Sequence, residues 1–207
     1  MNRIIIALAA VGLALLPTSP ADAQPEALLQ EAVAATAWHS ATFKHVFTLH
    51  GTDQKVVESG RVTFGQLPQM RWQYIAPEEK TFVFDGRTSW LYVPAERQVS
   101  VHELTDSERS QLPFLLLEDA EAARQDFDLS SSRKGGALQL SLTPRGEQSV
   151  RSLELLIDPA SKRIRVFEYL DLEGNLTRFE FAEFRKVPPD ASQFRFEAPP
   201  GVEPVEY

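Results

Sequence analysis

Cysteine is absent from this chain of 207 residues. No disulfide can therefore form, and no thiolate can act as a nucleophile or metal ligand. No cysteine is available near the amino terminus to carry a lipid anchor either. Many exported domains depend on disulfides. Because this chain can form none, it must be stabilised by burial of apolar surface alone.

Basic residues are fewer than acidic residues in this chain. The chain has 21 Lys and Arg against 29 Asp and Glu, a formal net charge of −8 at pH 7. This charge is unfavourable for binding nucleic acid or an anionic membrane surface. We interpret the acidic residues as a solvated surface that favours solubility.

Motifs of common catalytic and cofactor sites are also missing from the sequence. There is no zinc-binding helix motif, phosphate loop, nucleophile elbow or dinucleotide fingerprint. His45 and His50 would point to opposite faces of a regular strand and make a poor metal pair. We expect no metal, no cofactor and no enzymatic activity. Carboxylates brought together by folding are the alternative that stays open.

Long apolar runs are missing except at the amino terminus. Arg3 precedes the apolar residues 4–16, and Ala21-Asp22-Ala23 fits the small-x-small pattern cut by signal peptidase. We predict a signal peptide over residues 1–23, cleaved after Ala23. No later segment reaches the ~20 apolar residues of a membrane-spanning helix. Residues 24–207 are expected to form one exported, soluble domain.

The remaining chain changes from helical to strand periodicity. Residues 25–36 carry Leu28, Leu29, Ala32 and Val33 on one stripe, which predicts an amphipathic helix. From Phe43 onward apolar residues recur at every second position, which predicts about 11 short strands. Turns are expected at residues 85–86, 158–159 and 173–175.

Aromatic residues form three pairs with a spacing of two. The pairs are Trp72 and Tyr74, Phe82 and Phe84, and Trp90 and Tyr92. Members of a pair share a strand face, and we predict that all three pairs form one aromatic wall. Six rings present about 900–1500 Å² of apolar surface, more than a soluble monomer normally exposes. Either core residues or a ligand must cover this wall.

One segment interrupts the strands. Residues 105–108 resemble a helix start, and residues 112–117 form a dense apolar run. We predict short helices over an opening in the sheet. The predicted helices are too few to cover both faces of a flat sheet, so the sheet should curl into a barrel or half-barrel.

Six short segments of the chain carry a resemblance to a known family through their order and spacing. They are residues 70–77, 84–92, 98–99, 113–117, 194–196 and 200–202. In order and spacing they resemble the LolA family, periplasmic carriers of outer-membrane lipoproteins. The resemblance spans nearly all of residues 24–207.

This resemblance implies a fold that is mainly β with an α lid. The expected form is an unclosed antiparallel β-barrel of about 11 strands, covered by the N-terminal helix and a short helical insertion. The residues expected to line an acyl cavity are Phe47, Phe64, Met70, Trp72, Tyr74, Phe82, Phe84, Trp90 and Tyr92. The residues expected in the lid are Leu28, Leu29, Val33, Pro113, Phe114, Leu115, Leu116 and Leu117.

The same resemblance implies a function and partners. A family member takes acylated lipoproteins from an inner-membrane ABC transporter, LolCDE, and delivers them to the outer-membrane receptor LolB. We therefore expect a periplasmic, monomeric carrier without a cofactor.

One position departs from the family pattern. The family commonly has an arginine six residues before the Trp72 position, which latches the lid by hydrogen bonds, and here that residue is Gln66. Arg61 and Arg71 are the nearby arginines. Two alternatives stay open: a carrier or sensor of another lipid or glycolipid, and a lipid-modifying enzyme with a barrel pocket.

Overall fold

The computed structural model describes residues 24–109, 112–114 and 120–206. The predicted signal peptide, the lid residues Leu115, Leu116 and Leu117, and Tyr207 lie outside the described residues. The α-helices are α1 (Pro25–Thr36), α2 (Asp106–Arg109) and α3 (Ala120–Asp126), and short 3-10 helices span Pro94–Glu96 and Ala191–Phe194. The strands are β1 (His39–Thr48), β2 (Lys55–Phe64), β3 (Met70–Ala76), β4 (Lys80–Phe84), β5 (Thr88–Val93), β6 (Gln98–Glu103), β7 (Phe127–Lys134), β8 (Ala137–Pro144), β9 (Val150–Ile157), β10 (Ile164–Asp171), β11 (Leu176–Lys186) and β12 (Pro204–Glu206).

The described strands form one sheet whose two ends do not meet. Its order is β12-β6-β5-β4-β3-β2-β1-β11-β10-β9-β8-β7. Strands β1 to β11 pair antiparallel with their neighbours, which confirms the predicted unclosed, mainly β architecture. The short β12 was not predicted, and it runs parallel to β6.

Helix α1 lies over the β7 to β10 side of the sheet. Leu28, Leu29 and Ala32 are buried, which confirms the predicted apolar stripe. The Thr36 hydroxyl donates to the Ala32 carbonyl at 2.8 Å and accepts the Ile164 amide at 3.1 Å. The last turn of α1 is therefore fixed to the start of β10.

The core beneath α1 is filled by aliphatic side chains. Alternate residues of β8 and β9 are buried, and Leu140, Leu142, Leu153, Leu155 and Ile157 are fully so. Leu140 lies opposite Leu155, and Leu142 opposite Leu153. This half of the sheet follows the ordinary rule of one buried face per strand.

The prediction that all three aromatic pairs share one face is wrong. In the β4–β5 ladder Phe82 pairs with Leu91, whereas Trp90 pairs with Val83 and Tyr92 pairs with Thr81. Trp90 and Tyr92 therefore point away from the face that carries Phe82. The loop between the strands determines this register, and a shift of one residue exchanges the two faces.

The face opposite α1 has its own apolar layer, built with the C-terminal segment, which we define as residues 187–203 between β11 and β12. Phe194 is fully buried and lies 6.2 Å from the Trp38 ring, and Phe196 lies 5.9 Å from the Tyr92 ring. A Cβ at Gly65 would lie 2.5 Å from the Phe194 ring, so only glycine permits this close approach. The C-terminal segment therefore packs on the face to which Trp90 and Tyr92 belong.

Candidate functional site

An apolar cavity of about 250 Å³ lies between the sheet, the end of α1 and Phe114. Its lining is almost entirely apolar and rich in aromatic rings. The lining residues are Thr36, Phe64, Leu67, Met70, Trp72, Tyr74, Phe82, Phe114, Ile164, Phe167, Tyr169, Phe179 and Phe181. These side chains come mainly from β2, β3, β4, β10 and β11, so the sheet itself forms most of the wall. Thus β3 and β4 contribute on one side, and β10 and β11 on the other.

Trp72 is the centre of the aromatic contacts. Its ring centroid lies 4.9 Å from that of Phe43, 5.1 Å from that of Phe179 and 6.2 Å from that of Phe64. The Phe43 and Phe64 contacts are edge-to-face, an arrangement that aromatic pairs favour. These rings give the cavity an apolar wall with few hydrogen-bonding groups.

Gly60 allows the rings of β1 and β3 to meet across the strand between them. It pairs with Phe43 on one side and with Tyr74 on the other. The Phe43 and Tyr74 rings are 4.9 Å apart and edge-to-face. A Cβ at position 60 would lie 2.0 Å from the Gln73 carbonyl oxygen. A side chain there would separate the strands or the rings.

The structure brings together five of the nine predicted cavity residues. Phe64, Met70, Trp72, Tyr74 and Phe82 line the cavity.

The other four predicted cavity residues are not among its lining residues. Phe84 is buried in the core beside Met70. Phe47 shares the strand face of Phe43, farther along β1. Trp90 and Tyr92 lie on the opposite face, because they pair with Val83 and Thr81 in the β4–β5 ladder.

The predicted lid is described only in part. Phe114 lines the cavity, and Pro113 precedes it. Leu28 and Leu29 of α1 are buried in the core, and Val33 of the same helix packs against that core. α2 begins with the predicted capping arrangement, in which the Thr105 amide donates to Glu108 and the Glu108 amide donates to Thr105.

Sequence reasoning missed the half of the cavity wall that comes from β10 and β11. Phe167 pairs with Phe179 across these strands, and Tyr169 and Phe181 extend the same face. The alternation of Phe179 and Phe181 identified a strand, but alternation does not show that a strand at the far end of the sequence faces β3.

A cluster of polar side chains lies at one end of the aromatic wall. The Glu58 carboxylate accepts from His45 Nδ1 at 3.0 Å and from the Lys80 ammonium at 2.5 Å. The His45 ring stacks on Phe179, with centroids 4.3 Å apart and planes 8° apart. The Lys80 ammonium lies 4.5 Å from the centre of the Tyr74 ring. The cluster is thus in contact with two cavity-lining rings.

Burial and pairing shift the pKa values of this cluster. Burial lowers the pKa of His45 and outweighs the opposing effect of Glu58, which favours the neutral imidazole. Burial would raise the pKa of Glu58, but hydrogen bonds from Lys80 and His45 together lower it. Burial, with the nearby charge of Glu58, raises the pKa of Tyr74, so its hydroxyl stays protonated at neutral pH.

Gln66, Arg61 and Arg71 are not among the residues that line the cavity. Gln66 is exposed in the turn between β2 and β3. Arg61 pairs with Gln73 and Arg71 with Val83, so both point away from the cavity. Arg71 Nη1 donates instead to the Gln193 and Arg195 carbonyls at 3.4 Å. Arg71 therefore binds the C-terminal segment through these two hydrogen bonds.

Membrane-spanning helices and clustered metal ligands are both absent from the described residues. No helix within residues 24–109, 112–114 and 120–206 has the length and apolar character needed to cross a membrane. Across the same ranges, no three His, Asp or Glu side chains come together as a metal-binding group.

The fold and site define a β-rich protein with an internal cavity suited to apolar ligands. The family model for the outer membrane lipoprotein carrier protein LolA matches residues 37–197. The chain therefore belongs to the LolA family of lipoprotein carriers.

Individual relatives agree with this membership. An outer-membrane lipoprotein carrier protein of Proteus mirabilis is 26% identical, over 98% of this chain and 97% of its own. One from Photobacterium profundum is 29% identical, over 87% and 88%. A crystal structure of an uncharacterised conserved protein from Thermus thermophilus shares the fold, with TM-score 0.55 and 18% identity, over 87% of this chain and 97% of that one.

Proposed function

We propose that this protein is a periplasmic carrier that holds the acyl chains of lipoproteins in its aromatic cavity and moves them from the inner to the outer membrane. The observation that carries the proposal is the cavity itself, lined by Trp72, Phe82, Phe179 and other rings, with Thr36 of α1 and Phe114 also in its lining. Such a lining supplies apolar area with little polar specificity.

The energetics favour carriage over catalysis. Burial of each methylene of an acyl chain is favourable by ~0.8 kcal/mol, so several chains in water would cost on the order of tens of kcal/mol. A cavity removes this penalty without making or breaking a bond. Handover must then depend on partners that compete for the chains, since binding by area has no release step of its own.

The cavity must enlarge to accept a full set of chains. Its volume of about 250 Å³ lies below the ~300–1,000 Å³ of typical ligand pockets. Phe114 and Leu67 belong to connecting segments rather than to strands, so we infer that these two side chains move outward when chains enter. Phe64, Met70, Trp72, Tyr74 and Phe82 are the proposed fixed wall.

The partners and location follow from the same proposal. The donor would be an inner-membrane transporter of the LolCDE type and the acceptor an outer-membrane receptor of the LolB type. Signal peptidase would release the monomeric carrier by cleavage after Ala23.

A transfer assay tests the function. Residues 24–207 are incubated with spheroplasts that display a radiolabelled, triacylated lipoprotein, and the supernatant is separated by gel filtration. The proposal expects a soluble complex of carrier and lipoprotein. Phe82→Glu, which places a carboxylate in the wall, should abolish release, whereas Ile75→Glu at an exposed position should not. Failure of the unaltered protein to release lipoprotein would contradict the proposal.

The second candidate function is carriage of another lipid or glycolipid. The exposed Gln66, in place of the arginine common in the family, favours it. Mass spectrometry of ligand extracted from protein purified out of the periplasm separates the two. Phospholipid or glycolipid in place of lipoprotein would support the second candidate.

A further inference from the structure

The cavity has a buried end and an exposed end. Along β3 the cavity residues run from Met70, which is 2% exposed, through Trp72 at 8%, to Tyr74. Tyr74 pairs with Lys80, the first residue of β4, whose side chain is 29% exposed. Beyond this pair lies the exposed turn of residues 77–79.

A polar group attached to bound acyl chains is therefore expected at the Tyr74 end of the cavity. Thr36, Phe64 and Met70 are buried at the other end of the cavity, which suits the methyl ends of acyl chains. The attached polypeptide or head group is too large and polar to be buried there. The carbonyl groups that link the chains to the rest of the ligand must then lie near Tyr74 and Lys80.

The polar cluster occupies this same end. His45 continues the strand face of Phe43, and its neighbours across the sheet are Phe179 and Glu58. A charged pair within an apolar face is weak support for stability, because desolvation offsets much of the attraction. Apolar side chains at these positions would serve a purely structural role equally well.

Lys80 has hydrogen-bonding capacity to spare. An ammonium group has three donors, and the Glu58 carboxylate is one acceptor. The Tyr74 ring holds one side of the ammonium. Glu58 in turn accepts from both His45 and Lys80, so its charge is compensated within the cluster.

We propose that Lys80 is a ligand-binding residue that donates to the ester or amide carbonyl oxygens at the polar end of bound acyl chains. Glu58 and His45 are positioning residues that hold the ammonium over Tyr74. This inference rests on the proposed function and adds to it the orientation of the ligand. It assigns the cavity a preference for acyl groups over plain alkyl chains of equal length.

Two lipids that differ only in their linkage test the proposal. Dipalmitoylglycerol has ester carbonyls, and dihexadecylglycerol has ether linkages in their place. Lys80→Met should weaken binding of the ester lipid by about tenfold or more, the range expected for a lost hydrogen bond to a charged group. Binding of the ether lipid should change much less. Glu58→Gln should reduce the same ester preference, and Lys80→Arg should retain part of it.

Lys44→Met is the matched control, since Lys44 is an exposed lysine on the opposite face of β1. It should leave both affinities unchanged. Equal weakening of both lipids by Lys80→Met, or no change in either, would overturn the assignment of Lys80 while leaving the proposed carrier function intact. Failure of the unaltered protein to bind either lipid would overturn both.

Discussion

Val83 lies directly opposite Trp90 in the β4–β5 ladder, and its neighbour Phe82 lies opposite Leu91. Consecutive residues of β4 thus serve different apolar layers. Phe82 faces the cavity, whereas Val83 and Trp90 belong to the face on which the C-terminal segment packs. The described residues form two aromatic layers, and only one of these layers lines the cavity.

Substitutions on the two faces should therefore separate binding from stability. Phe82→Ala removes part of the cavity wall and should weaken acyl-chain binding by about tenfold or more, since burial of a phenylalanine side chain contributes ~1.5–3 kcal/mol. Trp90→Ala should leave affinity nearly unchanged but lower the free energy of unfolding. Titration with a fluorescent fatty acid and urea denaturation measure the two effects. Equal loss of affinity in both variants would contradict the register.

Gly60→Ala should destabilise the fold. The new Cβ would lie 2.0 Å from the Gln73 carbonyl oxygen, so β2 and β3 must move apart. Overpacking of this kind costs about 1–3 kcal/mol. Gly146→Ala is the control, because a Cβ there meets nothing within 4 Å. Urea denaturation of both variants gives the comparison, and similar unfolding free energies would count against the close contact.

Thr36→Val should loosen α1 from the sheet. The substitution keeps the shape of the side chain but leaves the buried Ile164 amide without its acceptor, a loss of about 1–3 kcal/mol. Thr36→Ser keeps the hydroxyl and should cost less. Hydrogen exchange at the Ile164 amide reports the effect directly. Unchanged protection in Thr36→Val would show that the hydroxyl does not hold the helix.

Stability should fall on mild acidification because of His45. Burial lowers the folded-state pKa of His45 below its ordinary 6.5, so the unfolded chain binds more protons between the two values. The contribution of neutral His45 to the free energy of unfolding is fully present above pH 6.5. It is lost as the pH falls through the folded-state pKa of His45. The groups facing the imidazole are Glu58, Lys80 and the Phe179 ring.

His45→Gln is the control for this pH effect. The melting temperature of the unaltered protein should decrease between pH 7.5 and 5.5, and the variant should show a smaller decrease. The lowered pKa of Glu58 acts in the same direction but at lower pH, below its ordinary 4.5. Identical pH profiles for the two proteins would contradict the assignment to His45.

The sequence predicted well what depends on neighbours along the chain. Helical spacing identified α1 with its bounds, and alternation placed Trp72, Tyr74 and Phe82 on an aromatic wall. The assignment of Met70 to the cavity came from the family resemblance. The face of Trp90 was predicted wrongly because alternation relates residues within a strand, whereas the register between strands depends on the geometry of the turn at residues 85–88.

Features built from distant strands could not be predicted in this way. Phe167 and Phe179 join the cavity wall only because the sheet brings β10 and β11 round to face β3. The polar cluster combines His45 with Glu58, 13 residues away, and Glu58 with Lys80, 22 residues away. A histidine within the apolar stripe of β1 was the one signal of it in the sequence.

Emission from Trp72 tests the central claim most directly. Trp38→Phe and Trp90→Phe together leave Trp72 as the single tryptophan, in the cavity wall. This protein is titrated with a triacylated lipopeptide whose chains carry bromine, which quenches tryptophan only at close range, and with the same lipopeptide without bromine. The account predicts strong quenching of Trp72 by the brominated chains alone. Binding of the brominated lipopeptide with unchanged Trp72 emission would contradict it.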